Sequence, residues 1–192
     1  MLKEFIDFVD SILPAVPMGT KEGVQDAIMQ FEKNNEQIKY LTHSPLPVLS
    51  QGDVISAIPF YYFDSDGKQK CFTADAMVIS TSCHIDQKKR MILAPVLPLN
   101  QFEGNIVELK KNKIIDYMYI PDGKLNDKYI DFGVMNTFSK ELIFNGINNK
   151  KIQRIESLNQ IGYYFFVVKL TVYLLRKEDV DTLHSRNKGF DY

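Results

Sequence analysis

Residues 161–175, IGYYFFVVKLTVYLL, restrict the fold more than any other stretch, because they are apolar on all sides and contain one charge, Lys169. A bilayer-spanning helix needs roughly 20 apolar residues, so this run of 15 is too short to cross a membrane. A helix that is apolar all round has to be buried on more than one side. We therefore predict a long apolar C-terminal helix, opened by a capping box of Ser157 and Gln160. It would pack on the remaining domain or on a second subunit.

The charges of the chain nearly cancel, with 23 basic against 24 acidic residues. No overall field then attracts nucleic acid or an anionic membrane, so such binding would need a local patch. The N-terminal apolar residues follow helical spacing and are interrupted by Glu4, Asp7 and Asp10, which argues against a signal peptide. Two cysteines suit a reducing compartment. We predict a cytoplasmic protein without a membrane partner.

Residues 50–145 are rich in β-branched and aromatic residues and are broken by turn signals such as DSDG and PDGKLND. Short strands joined by tight turns predict a small β-barrel or a strongly curled sheet. The predicted strands are Asp53–Phe63, Lys70–Thr73, Ala76–Ser80, Met91–Val96, Ile114–Ile120, Tyr129–Met135 and Glu141–Phe144.

Helical patterns flank this region, so the fold class is predicted as α+β. Residues 1–45 form an N-terminal helical extension in this prediction, residues 50–145 a β-barrel core, and residues 146–183 a C-terminal helical region packed on the barrel. The polar residues 184–192 form a flexible tail.

Four short motifs in the predicted barrel resemble the PemK/MazF-like proteins, a superfamily that includes bacterial toxins of toxin–antitoxin systems. The motifs are Gln51-Gly52-Asp53-Val54, Ile58-Pro59-Phe60, Met77-Val78-Ile79-Ser80 and Ile92-Leu93-Ala94-Pro95-Val96. The resemblance covers residues 50–100 best. It implies an SH3-like barrel, a homodimer, an antitoxin as a protein partner, and metal-independent cleavage of RNA without a cofactor.

Two positions depart from the toxin pattern. Asp75-Ala76 stands where the toxins carry an arginine, usually followed by proline, and Leu97 stands where they carry threonine or serine. RNA cleavage through the 2′-hydroxyl develops negative charge on the phosphate oxygens, which a cation stabilises. A carboxylate at position 75 would repel the phosphate instead, so any catalytic site must be degenerate or relocated.

The segment HIDQKKR offers a substitute catalytic site. His84 could move protons near neutral pH, Asp86 could orient it, and Arg90 could hold a phosphate, with Lys88 and Lys89 as RNA-binding residues. The alternative is a solvated turn between two buried strands.

Further basic residues could track an RNA backbone if they lie on one side of the barrel, and Tyr117 and Tyr119 could stack on bases. They are Lys110, Lys111, Lys113, Lys151 and Arg154. The alternative is that lysines keep strand ends soluble and tyrosines fill half-buried sheets. Three scattered histidines do not indicate a metal site.

Two functions remain open at this point. The first is an RNA-binding barrel of the PemK/MazF type, which could also be a toxin-type endoribonuclease. The second is a non-enzymatic protein-interaction module of a phage, defence or toxin–antitoxin system.

Overall fold

A computed structural model describes residues 38–175 and 179–188. The predicted helices of the N-terminal extension before residue 38 lie outside the described residues. Seven strands are β1 (Val54–Phe63), β2 (Gln69–Val78), β3 (Arg90–Pro98), β4 (Tyr117–Met118), β5 (Lys128–Asp131), β6 (Asn136–Ser139) and β7 (Arg154–Glu156). Helices are α1 (Ser82–Gln87), α2 (Ile106–Lys110), α3 (Lys140–Asn148), α4 (Gln160–Leu175) and α5 (Val180–Lys188). Residues 184–188 thus belong to α5.

All strands join one antiparallel sheet in the order β4-β5-β3-β2-β1-β7. Strand β3 carries two partners on the edge away from β2, because β6 pairs with its first half and β5 with its second. The longest pairing is the β1–β2 hairpin, which runs from Val54 opposite Met77 to Phe63 opposite Gln69. Its DSDG turn uses Gly67 at a φ of 73°.

The sheet is open, so the predicted SH3-like β-barrel is wrong. Closure needs a backbone ladder between the terminal strands, and β4 and β7 are not paired with each other. Strand β1 contacts β6 through side chains instead of a backbone ladder. The Phe60 and Phe138 rings meet edge to face, and the Asn136 amide bonds the N–H and C=O of Tyr61 at 2.9 and 3.2 Å. Pro59 points its backbone toward the same edge as Tyr61, and it has no N–H for a ladder.

Each face of the sheet carries its own hydrophobic core, because successive strand residues point to opposite sides. One face of the sheet is covered by α4 and is called the α4 face. Its core contains Val54, Met77, Ala94 and Val96 of the strands together with Phe165, Phe166 and Val172 of α4. The opposite face is covered by α1 and α3 and is called the α3 face. Its core contains Ile55, Ala76, Val78 and Leu93 of the strands together with Ile85 of α1 and Ile143 of α3. Burial on both sides explains why β3 and the last three residues of β2, Ala76, Met77 and Val78, form near-continuous apolar sequences.

The predicted long apolar C-terminal helix is also wrong. The region consists of α4, with 16 residues, and the separate helix α5. Helix α4 begins after Asn159, whose Oδ1 accepts a hydrogen bond from the Gly162 N–H at 2.9 Å, rather than at the predicted capping box. Ser157 instead accepts a bond from the Leu46 N–H at 3.0 Å.

A charged residue, Lys169, is fully buried in the middle of α4. Within residues 38–175 and 179–188, no helix combines the length and apolarity that crossing a membrane requires.

Candidate functional site

An open cleft of about 860 Å³ lies where β1, β2, β3 and β5 meet. Its lining includes the β1 residues Ser56, Ala57 and Tyr62, the β2 residues Phe72–Asp75, the β3 residues Val96–Pro98, and the β5 residues Lys128, Tyr129 and Asp131. The cleft thus combines aromatic rings, small side chains and both signs of charge.

A β-bulge in β1 shapes one end of the cleft. The register with β2 shifts between Ile55 and Ile58, which adds one residue to β1. Ala57 takes a left-handed φ of 58°, and Ser56 is fixed to Gln153 by two hydrogen bonds of 2.9 Å. A non-glycine residue in this conformation costs about 1–3 kcal/mol, and the surrounding hydrogen bonds of Ser56 hold the bulge in place.

An ion pair crosses the cleft between strands that are not neighbours. The Lys128 Nζ of β5 donates to the Asp75 Oδ2 of β2 at 2.6 Å, and β3 lies between them. The Asp75 and Lys128 side chains keep 23% and 30% of their surface exposed, so both remain accessible from the cleft.

Three aromatic rings support the wall beside Lys128. Phe102, Tyr117 and Tyr129 contact one another edge to face, with ring centroids 5.2–5.4 Å apart. Burial, and secondarily the charge of Asp131, raises the pKa of the Tyr129 hydroxyl to about 12. The Tyr129 hydroxyl therefore stays neutral over the physiological pH range.

Asp131 lines the cleft next to this wall. Its Oδ1 accepts a hydrogen bond from the Gly133 N–H at 2.8 Å, which caps the 3₁₀ turn Phe132–Val134. Burial is the largest cause that raises the pKa of the Asp131 carboxyl, and the charge of Asp116 adds to it. Hydrogen bonds from the Gly133 and Val134 N–H groups act in the opposite direction.

The β1–β2 hairpin supplies a half-exposed aromatic platform to the cleft. Tyr62 lies against Phe72 with centroids 6.2 Å apart, and both line the cleft. Lys70 is the cross-strand partner of Tyr62, so its side chain lies on the same side of the hairpin. Tyr61 and Phe63 point to the opposite side, because strand residues alternate.

The predicted catalytic residues lie away from this cleft. His84 and Asp86 lie on α1, and Thr81 caps that helix by accepting a bond from the His84 N–H at 3.3 Å. They are two positions apart on a helix, so their side chains diverge by roughly 200°. The main-chain oxygen of Asp86 accepts a bond from Lys140 Nζ at 2.9 Å.

The other predicted residues of that segment, Lys88, Lys89 and Arg90, are exposed between α1 and the start of β3. The segment therefore combines a short helix with a turn.

The basic group after α2 lies beside the α4 face. Lys110 is exposed, with its Nζ 5.7 Å from the Tyr119 ring centroid, whereas Lys111 and Lys113 are half-buried. Between them, Asn112 exchanges two hydrogen bonds of 2.7 and 2.9 Å with the main chain of Tyr119. Tyr119 is buried, so it offers no free stacking face.

Arg154 of β7 is engaged in a buried ion pair. Its Nη2 donates to the Asp53 Oδ2 at 2.8 Å and to the Val48 carbonyl at 3.0 Å, and its Nη1 donates to the Pro47 carbonyl at 3.2 Å. The side chain of Asp53 is 1% exposed. Lys151 is exposed in the turn after α3.

The structure does not gather the predicted basic groups into one groove. Ile85 anchors the segment of His84 on the α3 face, whereas Lys169 of α4 holds the main chain of Asn112 beside the α4 face. Across the described residues, no three His, Cys, Asp or Glu side chains lie close enough to hold a metal ion.

Sequence reasoning missed the cleft as a site, although it had singled out two of its lining residues. Asp75 and Leu97, the two positions that depart from the toxin pattern, both line the cleft. The pairing of Asp75 with Lys128 spans 53 positions of sequence, so no local pattern could indicate it.

The chain matches no protein-family model, and it matches no curated protein sequence at a significant level. The resemblance to the PemK/MazF-like proteins stays a prediction.

Proposed function

We propose that the protein binds single-stranded RNA in the cleft beside the β1–β2 hairpin. The observation that carries the proposal is the half-exposed Tyr62, which lies against Phe72 with Lys70 on one side and Lys128 across the cleft. Single-stranded nucleic acids are held by aromatic rings that stack on bases together with cations that follow the phosphates.

Stacking would supply the greater part of the affinity. Tyr62 is 44% exposed and its ring meets that of Phe72 at an angle of 63°, so part of the Tyr62 ring is open to solvent and accessible to a base. Stacking of one base on an aromatic side chain contributes about 1–3 kcal/mol. Recognition through stacking does not depend strongly on base identity, so we expect a weak sequence preference.

The resemblance of residues 50–100 to the PemK/MazF-like proteins favours RNA as the ligand. The cleft also contains the carboxylates of Asp75 and Asp131, which can accept hydrogen bonds from ribose hydroxyls and exocyclic amino groups. The proposal concerns binding. Cleavage by His84, Asp86 and Arg90 stays a separate prediction, because their side chains lie outside the cleft.

Two adjacent tyrosines provide the test of the binding site. We expect Tyr62→Ala to weaken binding of a labelled 12-nucleotide single-stranded RNA about 5- to 100-fold, measured by fluorescence anisotropy at low salt. Tyr61→Ala is the matched control, since Tyr61 is 45% exposed and does not line the cleft. Equal losses in both variants, or no binding by the native protein, would contradict the proposal.

The cleavage prediction has its own experiment. RNA 5′ ends are mapped in cells after brief induction of the native protein, of His84→Ala and of Arg90→Ala. New ends at a repeated short sequence that disappear in either variant would support an endoribonuclease. If the native protein produces no new ends, the protein does not cleave RNA under these conditions.

A second candidate function is the protein-interaction module. The observation in its favour is a set of exposed apolar side chains at the end of α4 and on α5: Leu174, Leu175, Val180 and Leu183. A second copy of the chain is one partner of suitable chemistry, as the predicted homodimer requires. Sedimentation velocity of the native protein and of Leu174→Glu tests it, because a dimer that uses the end of α4 would dissociate in the variant.

A further inference from the structure

We propose that Lys128 is a phosphate-binding residue of the cleft and that Asp75 competes with the ligand for it. The inference rests on the proposed binding of RNA and names the contact that regulates it. Asp75 then acts as an internal substitute for a phosphate, so the cleft binds a phosphate only when Lys128 leaves the carboxylate.

The geometry of the pair supports this exchange. The Nζ of Lys128 and the Oδ2 of Asp75 are 2.6 Å apart, a charge-assisted hydrogen bond that a phosphate oxygen can reproduce. Neither side chain is buried, with 30% and 23% of the surface exposed, so a ligand can reach the ammonium from the open side. Because solvent reaches both groups, water weakens their attraction, and an anion that enters the cleft can replace the carboxylate.

The charges that line the cleft make Lys128 the main group that can attract an anion. Among the described residues that line the cleft, Lys128 is the single cation, and it faces two acids, Asp75 and Asp131. Asp131 is already bonded to the Gly133 N–H, so Asp75 is the carboxylate that engages Lys128. A phosphate entering the cleft has this ammonium as its main attractive charge.

Removal of the Asp75 charge should raise the affinity of the cleft for anions, whereas it would lower this affinity if the ion pair were purely structural. Asp75→Asn keeps the size of the side chain and removes the competing charge, so anion affinity should rise about two- to fivefold. If Asp75 merely positioned Lys128, the same variant would lower the affinity. Lys128→Gln should weaken binding and reduce the dependence of log K on log salt by about 0.7, the value for one phosphate contact on a single strand.

The experiment measures the binding of two probes, a 12-nucleotide single-stranded RNA and a linear polyphosphate of similar length. The variants are Asp75→Asn, Lys128→Gln and the double variant, with urea unfolding as a check of the fold. Glu141→Gln and Lys124→Gln are matched controls, because both residues are exposed and lie outside the cleft. We expect tighter binding of both probes by Asp75→Asn alone, and no gain from Asp75→Asn once Lys128 is replaced.

The outcomes separate this inference from the proposed function. If Asp75→Asn gains affinity for polyphosphate while no variant binds RNA, the competition stands and the RNA proposal falls. If RNA binds through Tyr62 and Asp75→Asn shows no gain, the competition is overturned and the RNA proposal stands. The inference is overturned if Asp75→Asn raises the affinity no more than Glu141→Gln does, or if it still raises the affinity when Lys128 is replaced. The change in net charge would then explain the effect. No binding of either probe by any variant overturns both.

Discussion

Lys169 lies in an environment that changes its ordinary chemistry. Its Nζ donates to the main-chain carbonyls of Asn112 and Ile114 at 2.9 and 2.6 Å, so it ties α4 to the turn after α2. Burial lowers the pKa of Lys169 to about 7, although the charge of Asp116 acts in the opposite direction. The ammonium stabilises the two carbonyls and is penalised by the loss of water around it.

This shift of the Lys169 pKa predicts how stability depends on pH. Between pH 7 and about 10.5 the unfolded chain keeps this proton and the folded chain releases it, so the free energy of unfolding rises with pH. The contribution is at most about 1.4 kcal/mol per pH unit. Lys169→Met should remove it, as urea unfolding at several pH values would show, whereas exposed Lys124→Met should keep it. Equal slopes in the native protein and Lys169→Met would refute the assignment.

At the scale of elements, the outer edge of β1 beyond its short pairing with β7 is protected by side chains rather than by another strand. Pro59 removes one donor from this edge, and Asn136 covers the main chain of Tyr61. Natural sheets use such devices because an open edge can pair with another chain. The same arrangement leaves the hairpin free of further strands, so Tyr62 and Lys70 stay accessible beside the cleft.

Asn136→Ala should therefore destabilise the protein and expose this edge. Loss of two hydrogen bonds to the Tyr61 main chain should lower the free energy of unfolding by about 1–2 kcal/mol. Self-association should increase, and sedimentation velocity would detect it. Thr137→Ala, at an exposed position of the same strand, is the control and should change neither quantity appreciably. An unchanged stability of Asn136→Ala would show that the amide does not secure the edge.

For the whole molecule, the segment before the sheet and helix α4 are fitted closely together. Asp122 accepts hydrogen bonds from the N–H groups of Tyr40 and Leu41 at 2.8 and 3.2 Å. The Tyr40 carbonyl in turn accepts a hydrogen bond from the Asn159 N–H at 2.9 Å. Gly162 allows this approach, because a Cβ at that position would overlap the Tyr40 carbonyl oxygen.

Gly162→Ala should consequently destabilise the protein, although alanine favours a helix over glycine by about 1 kcal/mol. Overlap with main-chain atoms has to be relieved by movement of α4, which costs about 1–3 kcal/mol in a packed core. Chemical unfolding would measure the difference, with exposed Gln160→Ala in the same helix as control. A stabilised Gly162→Ala would show that the segment around Tyr40 yields easily.

Local patterns predicted the strands better than their arrangement. Asp53–Phe63 and Met91–Val96 nearly coincide with β1 and β3, because alternating or continuous burial leaves a clear pattern. Two predicted strands, Lys70–Thr73 and Ala76–Ser80, are one strand, β2. Glu141–Phe144 belongs to helix α3, which follows Ser139 and buries Ile143. Tertiary packing overrides propensity in such short segments.

Closure of the sheet and the location of the cleft could not be predicted in the same way. Whether terminal strands meet depends on twist and on residues far apart in sequence, as the contact of Asn136 with Tyr61 illustrates. The cleft likewise depends on a bulge at Ala57 and on an ion pair between distant strands. His84 and the lysines have side chains suited to catalysis or RNA binding, but the type of a residue does not reveal which residues lie on the same surface.

A sheet with a separate core on each side has a consequence for the exchange of amide protons with solvent. Residues 76–78 of β2 and 93–96 of β3 lie between the two cores, so we expect their amides to open only when both cores separate. In D₂O the amide of Met77 or Ala94 should hold its proton longest, while those of the hairpin tip around Gly67 exchange early. The slowest protons of the molecule would then report global unfolding, and they would do so from the middle of the sheet.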